Sequence, residues 1–275
     1  MSMSIRTNVS SLNAQRNLAN TEGMLGDSLA KLSSGYRITK AGDDAAGLGI
    51  SSNLGAQIRS YNQAARNASD GMSLIQTAEG ALNETTNILT RLRELSMQSA
   101  SDGVSNTERS YIQAEVNNLV TELDRIANSS EYNGVALLNG NISTLTFQVG
   151  IRNVDANDRI TISSVSATNA SLGTTNLGIS TALDAQAALA TIDTAIQSVS
   201  AGRAKLGAAG NRLTTVSNTI RTSAENISAA NSRIKDVDVA EETSALSRAQ
   251  ILVQAGISVL SQANQMPQMA LKLLG

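Results

Sequence analysis

One ladder of aliphatic residues constrains the fold more than any other feature of the sequence. It recurs every seven positions without interruption, at Ile192, Val199, Leu206, Leu213, Ile220, Ile227 and Ile234. A seven-residue apolar repeat of this length is typical of a long helix packed along other helices. We therefore predict one long helix, in which the three glycines between Gly202 and Gly210 could bend or interrupt the backbone.

Four shorter apolar patterns predict further helices. Their approximate ranges are 8–34, 48–99, 105–126 and 239–263. The third begins at a capping box, because Ser105 and Glu108 can each satisfy a backbone N–H group at a helix start. Pro267 is expected to end the last helix, since proline lacks a backbone N–H group.

The pattern changes between residues 139 and 181. Apolar residues alternate with polar ones around Phe147 and again around Ile160, with the turn-forming segment 155–158 between them. This pattern predicts a β-hairpin followed by a tail rich in Ser, Thr and Asn. The fold class is therefore mainly α: a long antiparallel helical coiled-coil rod with a small β-hairpin segment, in which the N- and C-terminal helices pair.

The composition excludes several classes of function. The 275 residues include no Cys, His or Trp and only 2% aromatic residues, so a thick globular core is not expected. Imidazole and thiol chemistry and the usual zinc ligands are excluded, and we expect no enzyme activity, cofactor or metal. A net charge of -2 without a basic stripe argues against nucleic acid as a partner. No apolar run is long enough for membrane insertion.

The two end helices have apolar faces but no partner nearby in sequence, so we expect them to pair with each other. Ordering a helix costs about 1–2 kcal/mol per residue, and each buried aliphatic side chain returns about 1.5–3 kcal/mol. Burial of one helix face against the other end helix barely balances the cost of ordering the helix. We therefore predict that the ends are disordered in the monomer and helical in a polymer, where a head-to-tail contact generates a helical filament. The residues expected to carry assembly are Leu18, Leu25, Leu32, Leu246, Val253 and Leu260.

Five sequence motifs carry a resemblance to a known protein family. They are LSSGYRITKAGDDAAGLGIS (32–51), RNASDGMSLIQTAEGALNE (66–84), LTRLRELSMQSAS (89–101), IQAEVNNLVTELDRIANSSEYNGVALL (112–138) and ILVQAGISVLSQANQMPQMALKLLG (251–275). With these motifs the sequence resembles bacterial flagellin over nearly its whole length. It resembles a short form with little or no outer variable domain, because only the hairpin and its tail lie between the two halves.

The resemblance implies a division of the chain into inner-tube and outer-tube parts of a flagellar filament. The inner-tube domain would comprise residues 1–44 and 233–275, and the helical outer-tube domain residues 45–138 and 182–232. Residues 139–181 would form the β-hairpin segment that replaces the variable region. The protein would then be a structural subunit of an extracellular, self-assembling filament used for swimming.

The resemblance also implies recognition residues and partners. Arg91, Leu95 and Glu115 match the surface read by Toll-like receptor 5, and Leu271, Leu273 and Leu274 match a motif read by a cytosolic innate-immune sensor. Gly275 replaces the terminal Arg common in relatives. The implied partners are other copies of the chain, an export chaperone, a filament cap protein and the hook-filament junction proteins.

The glycine-rich stretch 33–51 needs a separate interpretation. Its glycines do not fit the phosphate-loop pattern, and Asp43 with Asp44 supplies too few ligands for calcium. We interpret it as a connector in which Asp43 caps the following helix, while Arg37 and Lys40 pair with carboxylates of a neighbouring subunit.

Three alternatives remain beside a filament subunit. A hook-associated junction protein shares the terminal helices but usually has a bulkier middle. A chemoreceptor-like helical hairpin would need a membrane span or an unbroken hairpin, and the β-segment argues against it. A flagellin with an inserted metalloprotease requires H-E-x-x-H, which a chain without histidine lacks.

Overall fold

The chain forms two compact units. A computed structural model describes residues 7–274, with side chains described as far as Met266. We call the residues up to Ile58 and from Asn226 onward the terminal unit, and Arg59–Glu225 the central unit. Both divisions fall inside long helices, away from the predicted borders after residues 44 and 232. The five-segment division therefore stays a prediction.

The described residues are mostly helical, as predicted. The elements are α1 (Val9–Ser34), α2 (Ala45–Ser99), α3 (Asn106–Ser129), β1 (Glu131–Tyr132), β2 (Val135–Ala136), β3 (Thr144–Gln148), α4 (Asp155–Asp158), β4 (Arg159–Ser163), α5 (Asn169–Leu172), α6 (Ala182–Lys235) and α7 (Val239–Leu274). Within residues 7–274, none of these helices combines the length and the apolar character that crossing a bilayer requires.

The seven-residue ladder lies on α6, and its part within the central unit lines the core of that unit. Its first five members, from Ile192 to Ile220, are buried, and Ile227 and Ile234 are half-buried. The glycines do not interrupt the helix, contrary to the prediction. Gly202 instead makes room for Val165, whose Cγ1 would lie 2.5 Å from a Cβ at that position.

The capping box begins α3 as predicted. The Ser105 hydroxyl accepts a hydrogen bond from the Glu108 N–H group at 3.3 Å, and the Glu108 carboxylate accepts one from the Ser105 N–H group at 2.8 Å. The bond from the Ser105 N–H group to the carboxylate, followed by the effect of the Ser105 side chain, lowers the pKa of Glu108. The seam of α3 then packs Val116 and Leu123 into the same core as the α6 ladder.

The predicted hairpin consists of β3 and β4. Leu145 pairs with Ile162, and Phe147 pairs with Ile160, in an antiparallel register. The segment between the strands forms the short helix α4. A second, shorter hairpin was missed: β1 pairs with β2 across Asn133 and Gly134, which both have positive φ. Its Asn-Gly signal was present in the sequence.

The polar tail after β4 is an ordered segment, which we call the strap (residues 164–181). Gln113 on α3 donates a hydrogen bond to the Leu177 carbonyl at 3.0 Å and accepts one from the Ile179 N–H group at 2.6 Å. Asn169 donates its backbone N–H to the Asp124 carboxylate at 2.8 Å. Side chains of α3 therefore satisfy backbone groups that no strand partner reaches.

The prediction that Pro267 ends the last helix is wrong. The backbone of α7 is helical through Leu274. The φ of proline is compatible with a helix, so this residue removes one hydrogen bond without ending the element.

Removing the capping hydroxyl tests the start of α3. We expect Ser105→Ala to lower the free energy of unfolding by about 1 kcal/mol, because an orphan N–H group loses its acceptor. Denaturant titration measures the change. Ser73→Ala, on the exposed side of α2, is the control and should lose no stability, since its hydroxyl only bonds a carbonyl within the helix. Equal losses in both variants would contradict the assignment.

Candidate assembly and recognition surfaces

The two end helices pair antiparallel within the terminal unit, which confirms the predicted pairing. The Asn8 side-chain amide donates a hydrogen bond to the Ala263 carbonyl at 2.7 Å. The Ser11 hydroxyl donates one to the side-chain oxygen of Asn264 at 2.8 Å. Polar side chains therefore fix the register where α1 begins.

Small residues line the seam between α1 and α7. The buried ones are Ser11, Ala14, Ser28, Ala249 and Ala263. Leu18 lies directly over Gly256, where a Cβ would be 3.2 Å from its Cδ1. Helices approach closely where the contacting side chains are small. The two helix backbones can therefore approach each other closely at this seam.

The six residues predicted for assembly lie on the seam side of their helices. Each is half-buried and stands three or four positions from one of the buried small residues. These six side chains therefore contact the other end helix of the same chain. Their role in filament assembly stays a prediction, and in the single chain they hold the two end helices together.

Larger apolar side chains project from the same two helices into solvent. We call this set the outer apolar residues; they are between 47% and 66% exposed, and they are Val9, Leu12, Met24, Leu29, Ile251, Leu252, Ile257, Val259 and Met266. The sequence signal was a second apolar stripe on α7, where Leu252 and Val259 lie beside the stripe of Leu246, Val253 and Leu260. Two adjacent stripes cannot both face one partner helix, so one of them must remain uncovered.

The connectors next to the end helices are joined to each other. Tyr36 and Asp236 form an antiparallel bridge, and the Arg37 N–H group donates to the Lys235 carbonyl at 2.7 Å. The Arg37 guanidinium donates to the Ile234 carbonyl at 2.8 Å, near the negative end of α6. Arg37, predicted to pair with a neighbouring subunit, is thus engaged within the chain.

The turn before α2 is organised by Asp43. Its carboxylate accepts hydrogen bonds from the Thr39 N–H group at 3.0 Å, the Thr39 hydroxyl at 2.9 Å and the Lys40 N–H group at 3.1 Å. These bonds, the Thr39 N–H bond first, lower the pKa of Asp43. Ionised Asp43 therefore stabilises the turn fully at pH values above the ordinary pKa of a carboxyl group. This stabilisation is lost as pH falls through the lowered pKa. Lys40 pairs with Asp27 of the same chain at 2.9 Å.

Asp44, and not the predicted Asp43, caps α2. Its carboxylate accepts a hydrogen bond from the Gly47 N–H group at 2.8 Å. Gly47 has no room for a side chain, because the Asp44 carboxylate and the Cδ1 of buried Ile38 occupy the space that a Cβ would take. The glycine-rich stretch is accordingly a capped connector, and its close-fitting glycine is Gly47.

An exposed ion-pair network joins α2 and α3. The Arg91 guanidinium donates to the Glu115 carboxylate at 2.9 and 3.1 Å and to the Glu94 carboxylate at 3.2 Å. The bonds to Glu115, then those to Glu94, raise the pKa of Arg91. Exposed pairs of this kind add little stability. Their effect here is to hold one cation and two anions in a fixed pattern.

Leu95 lies beneath this exposed network, and its role as a receptor contact stays a prediction. Its side chain is 2% exposed and lies in the core of the central unit. Sequence reasoning missed Tyr111, which is 72% exposed and lies one helical turn before Glu115 on α3. An aromatic residue one turn from a predicted contact was the available signal. The side chains of Leu271, Leu273 and Leu274 lie outside the described part of the chain.

Two family models match most of the chain. The bacterial flagellin N-terminal helical region matches residues 5–143, and the bacterial flagellin C-terminal helical region matches residues 189–274. The segment between them includes the strap and the whole of the larger hairpin. Neither model covers that segment.

Similar proteins and structures agree with the family models. The flagellar filament 33 kDa core protein of Treponema phagedenis is 43% identical, and the flagellin of Bacillus subtilis is 41% identical; each alignment covers 99% of this chain and all of the relative. The crystal structure of Bacillus cereus flagellin is 30% identical, covers 60% of this chain and 94% of its own, and has a TM-score of 0.51. A Vibrio parahaemolyticus protein described as flagellar hook-associated has a TM-score of 0.60 at 13% identity, which shows a shared fold alone.

Paired end helices with uncovered apolar residues are the architecture of a self-associating structural protein. The chain belongs to the bacterial flagellin family. It is a structural protein and not an enzyme. Its function is that of a filament subunit, and no comparison favours the hook-associated alternative.

Two neighbouring glycines test the fit at the start of α2. We expect Gly47→Ala to lower the free energy of unfolding, because a clash of about 1–3 kcal/mol exceeds the gain in helix propensity of about 1 kcal/mol. Gly49→Ala is the matched control: nothing lies within 4 Å of its added Cβ, so stability should rise. Denaturant titration of both variants decides, and a stabilised Gly47→Ala would show that the connector is not closely packed there.

Proposed function

We propose that the chain polymerises by burying the outer apolar residues of α1 and α7 against other copies of itself. The observation that carries this proposal is the exposure of nine large apolar side chains on two helices whose shared seam is built from small residues. Burying one aliphatic side chain contributes about 1.5–3 kcal/mol. A few such side chains at each contact supply the free energy that assembly needs.

The geometry of assembly follows from the asymmetry of the pair. The face of α1 and the face of α7 carry different residues, and we propose that α1 of one copy packs on α7 of the next, which is a heterologous contact. A heterologous contact that does not close on itself generates a helical filament. Relatives are described as flagellar filament core proteins, and we infer the same extracellular filament for this chain. The prediction that the ends order only in the polymer stays part of this proposal.

Export and capping partners follow from the same surface. The outer apolar residues of α7 need cover until assembly, which supports a chaperone that binds this helix before export. We propose in addition that the chain is secreted through the flagellar export channel, adds beneath a cap protein at the filament tip and joins the hook through junction proteins. These partners rest on the family and on the uncovered helix.

Substitution of two outer apolar residues tests the assembly surface. We expect Leu252→Ser with Ile257→Ser to leave the monomer's free energy of unfolding nearly unchanged and to raise the concentration needed for seeded growth at least about a hundredfold. The reason is the loss of roughly 3 kcal/mol or more per contact. Light scattering after addition of filament seeds measures growth.

A control and a contrasting variant separate assembly from folding. Gln254→Ser changes an exposed polar residue of the same helix and should leave growth unchanged. Leu18→Ala removes a seam contact within the chain, and a loss of stability visible in the monomer would contradict the prediction that the ends order only in the polymer. Growth of the double variant at the normal concentration would refute the proposed surface.

We infer that the Arg91–Glu115 pair is the centre of a surface recognised by Toll-like receptor 5. The supporting observations are the fixed, exposed pattern of charges and the neighbouring Tyr111, because aromatic and arginine side chains are the usual anchors of binding surfaces. A buried Leu95 contributes indirectly, by packing the helix that presents Arg91. The sensor motif at Leu271, Leu273 and Leu274 remains a proposal of the family resemblance.

Charge removal tests the receptor surface. We expect Arg91→Ala in the monomer to reduce receptor activation by at least tenfold, since truncating an arginine anchor typically costs more than about 1.4 kcal/mol. Arg125→Ala is the control: it also removes an exposed arginine paired with a glutamate three residues away. A reporter-cell dose response reads both, and equal responses of the two variants would exclude the pair as the recognition centre.

A further inference from the structure

We propose that Asn133 is a site of spontaneous deamidation, a covalent modification that inserts a carboxylate into the β1–β2 turn. The reaction needs an asparagine followed by a residue whose backbone nitrogen can reach the side-chain carbonyl. Glycine offers the least steric hindrance, because it lacks a Cβ. The chain contains two Asn-Gly steps, Asn133-Gly134 and Asn139-Gly140. The structure treats them very differently.

Asn133 lies at an open turn. Both turn residues are exposed, and nothing lies within 4 Å of the position of a Cβ on Gly134. No side-chain hydrogen bond of Asn133 occurs among the described residues. The hairpin has only two residues in each strand, and short two-stranded hairpins open readily. The backbone can therefore leave the turn conformation and bring the glycine nitrogen to the asparagine carbonyl.

Asn139 is clamped by its surroundings. Its side-chain oxygen accepts a hydrogen bond from the Asn141 N–H group at 3.0 Å. A Cβ on Gly140 would lie 2.9 Å from the Ser166 hydroxyl oxygen. The preceding residue, buried Leu138, accepts a hydrogen bond from the Ala167 N–H group of the strap at 2.9 Å. The same dipeptide is thus held in place six residues further on, which makes it an internal control.

The chemistry requires only water. The deprotonated backbone nitrogen of Gly134 forms a bond to Cγ of Asn133, and the bond from Cγ to the side-chain nitrogen breaks, so that ammonia leaves and a cyclic imide remains. Water then opens the imide at either carbonyl. One opening leaves aspartate in a normal backbone, and the other leaves isoaspartate, in which the backbone runs through the former side chain.

Both products alter the hairpin. A new carboxylate at position 133 lies two residues from Glu131 and shares a groove of about 610 Å³ with Asp70, so like charges accumulate there. Isoaspartate also lengthens the main chain by one atom inside a two-residue turn. The pairing of Tyr132 with Val135 cannot keep its register with that added atom.

Ageing of the intact chain tests the proposal. Purified full-length protein is held at mildly alkaline pH, then digested and mapped by mass spectrometry with a method that separates aspartate from isoaspartate. We expect conversion at Asn133 to exceed conversion at Asn139 by about fivefold or more, because a hydrogen bond worth about 1 kcal/mol restrains Asn139 and not Asn133. In denaturant the two sites should react at nearly equal rates.

Two outcomes overturn the proposal. Equal conversion at the two sites in the folded chain would show that the turn gives Asn133 no special reactivity. Absence of isoaspartate at position 133 after ageing that converts the denatured chain would show that the turn protects it. Asn133→Ser provides the control, since it must abolish the product at this turn and leave the slower conversion of Asn139 unchanged.

Discussion

Aliphatic residues at seven-residue intervals are the interaction on which the structure depends. The α6 ladder is buried from Ile192 to Ile220, and it meets two buried stripes of α2 and the seam of α3 in one continuous core. The buried part of this core contains only aliphatic side chains, and Tyr61, Tyr132 and Phe147 pack against it while partly exposed. The helices therefore pack closely on one another, and Gly202 lies where Val165 of the strap packs onto α6.

Polar side chains satisfy backbone groups of the segments that pack around this narrow apolar core. The strap has few backbone partners of its own, and side chains of α2 and α3 hold it. Gln113 and Asp124 bond its backbone from α3, and the Ser99 hydroxyl of α2 donates to the Ile179 carbonyl at 2.6 Å. Buried Arg109 donates to the Ser99 and Ser101 carbonyls at 2.8 and 2.9 Å, at the end of α2. Buried backbone groups are costly when unsatisfied, so these few side chains decide whether an irregular segment can lie over the helices.

Periodicity predicted the parts of the fold that are set by local pattern. The helices, the capping box at Ser105 and the larger hairpin followed from spacing alone, because each pattern reports the face that one element buries. Leu95 stands three residues after Leu92 and is buried like it, whereas the family resemblance assigns Leu95 to a recognised surface.

Features that depend on an exact helix start or on distant contacts could not be predicted. Asp44 was missed as the helix cap because the apolar pattern did not fix the first residue of α2, which is Ala45, directly after Asp44. The strap read as a polar tail because its partners lie on α3. Pro267 was predicted to end α7 because proline lacks a backbone N–H group, but the backbone stays helical through Leu274.

The end helices depend both on their local sequence pattern and on their contact with each other. Their small seam residues allow close approach, and close approach buries little area per residue, so the pair gains only modest stability from its own contact. The large apolar residues are placed on the outside of this pair, where they add nothing to the isolated chain. In a monomeric protein such residues would be costly in solubility and of no use to folding. Their position agrees with the proposal that neighbouring copies cover them, and the hydrogen bonds of Asn8 and Ser11 set the register of the helix pair that carries them.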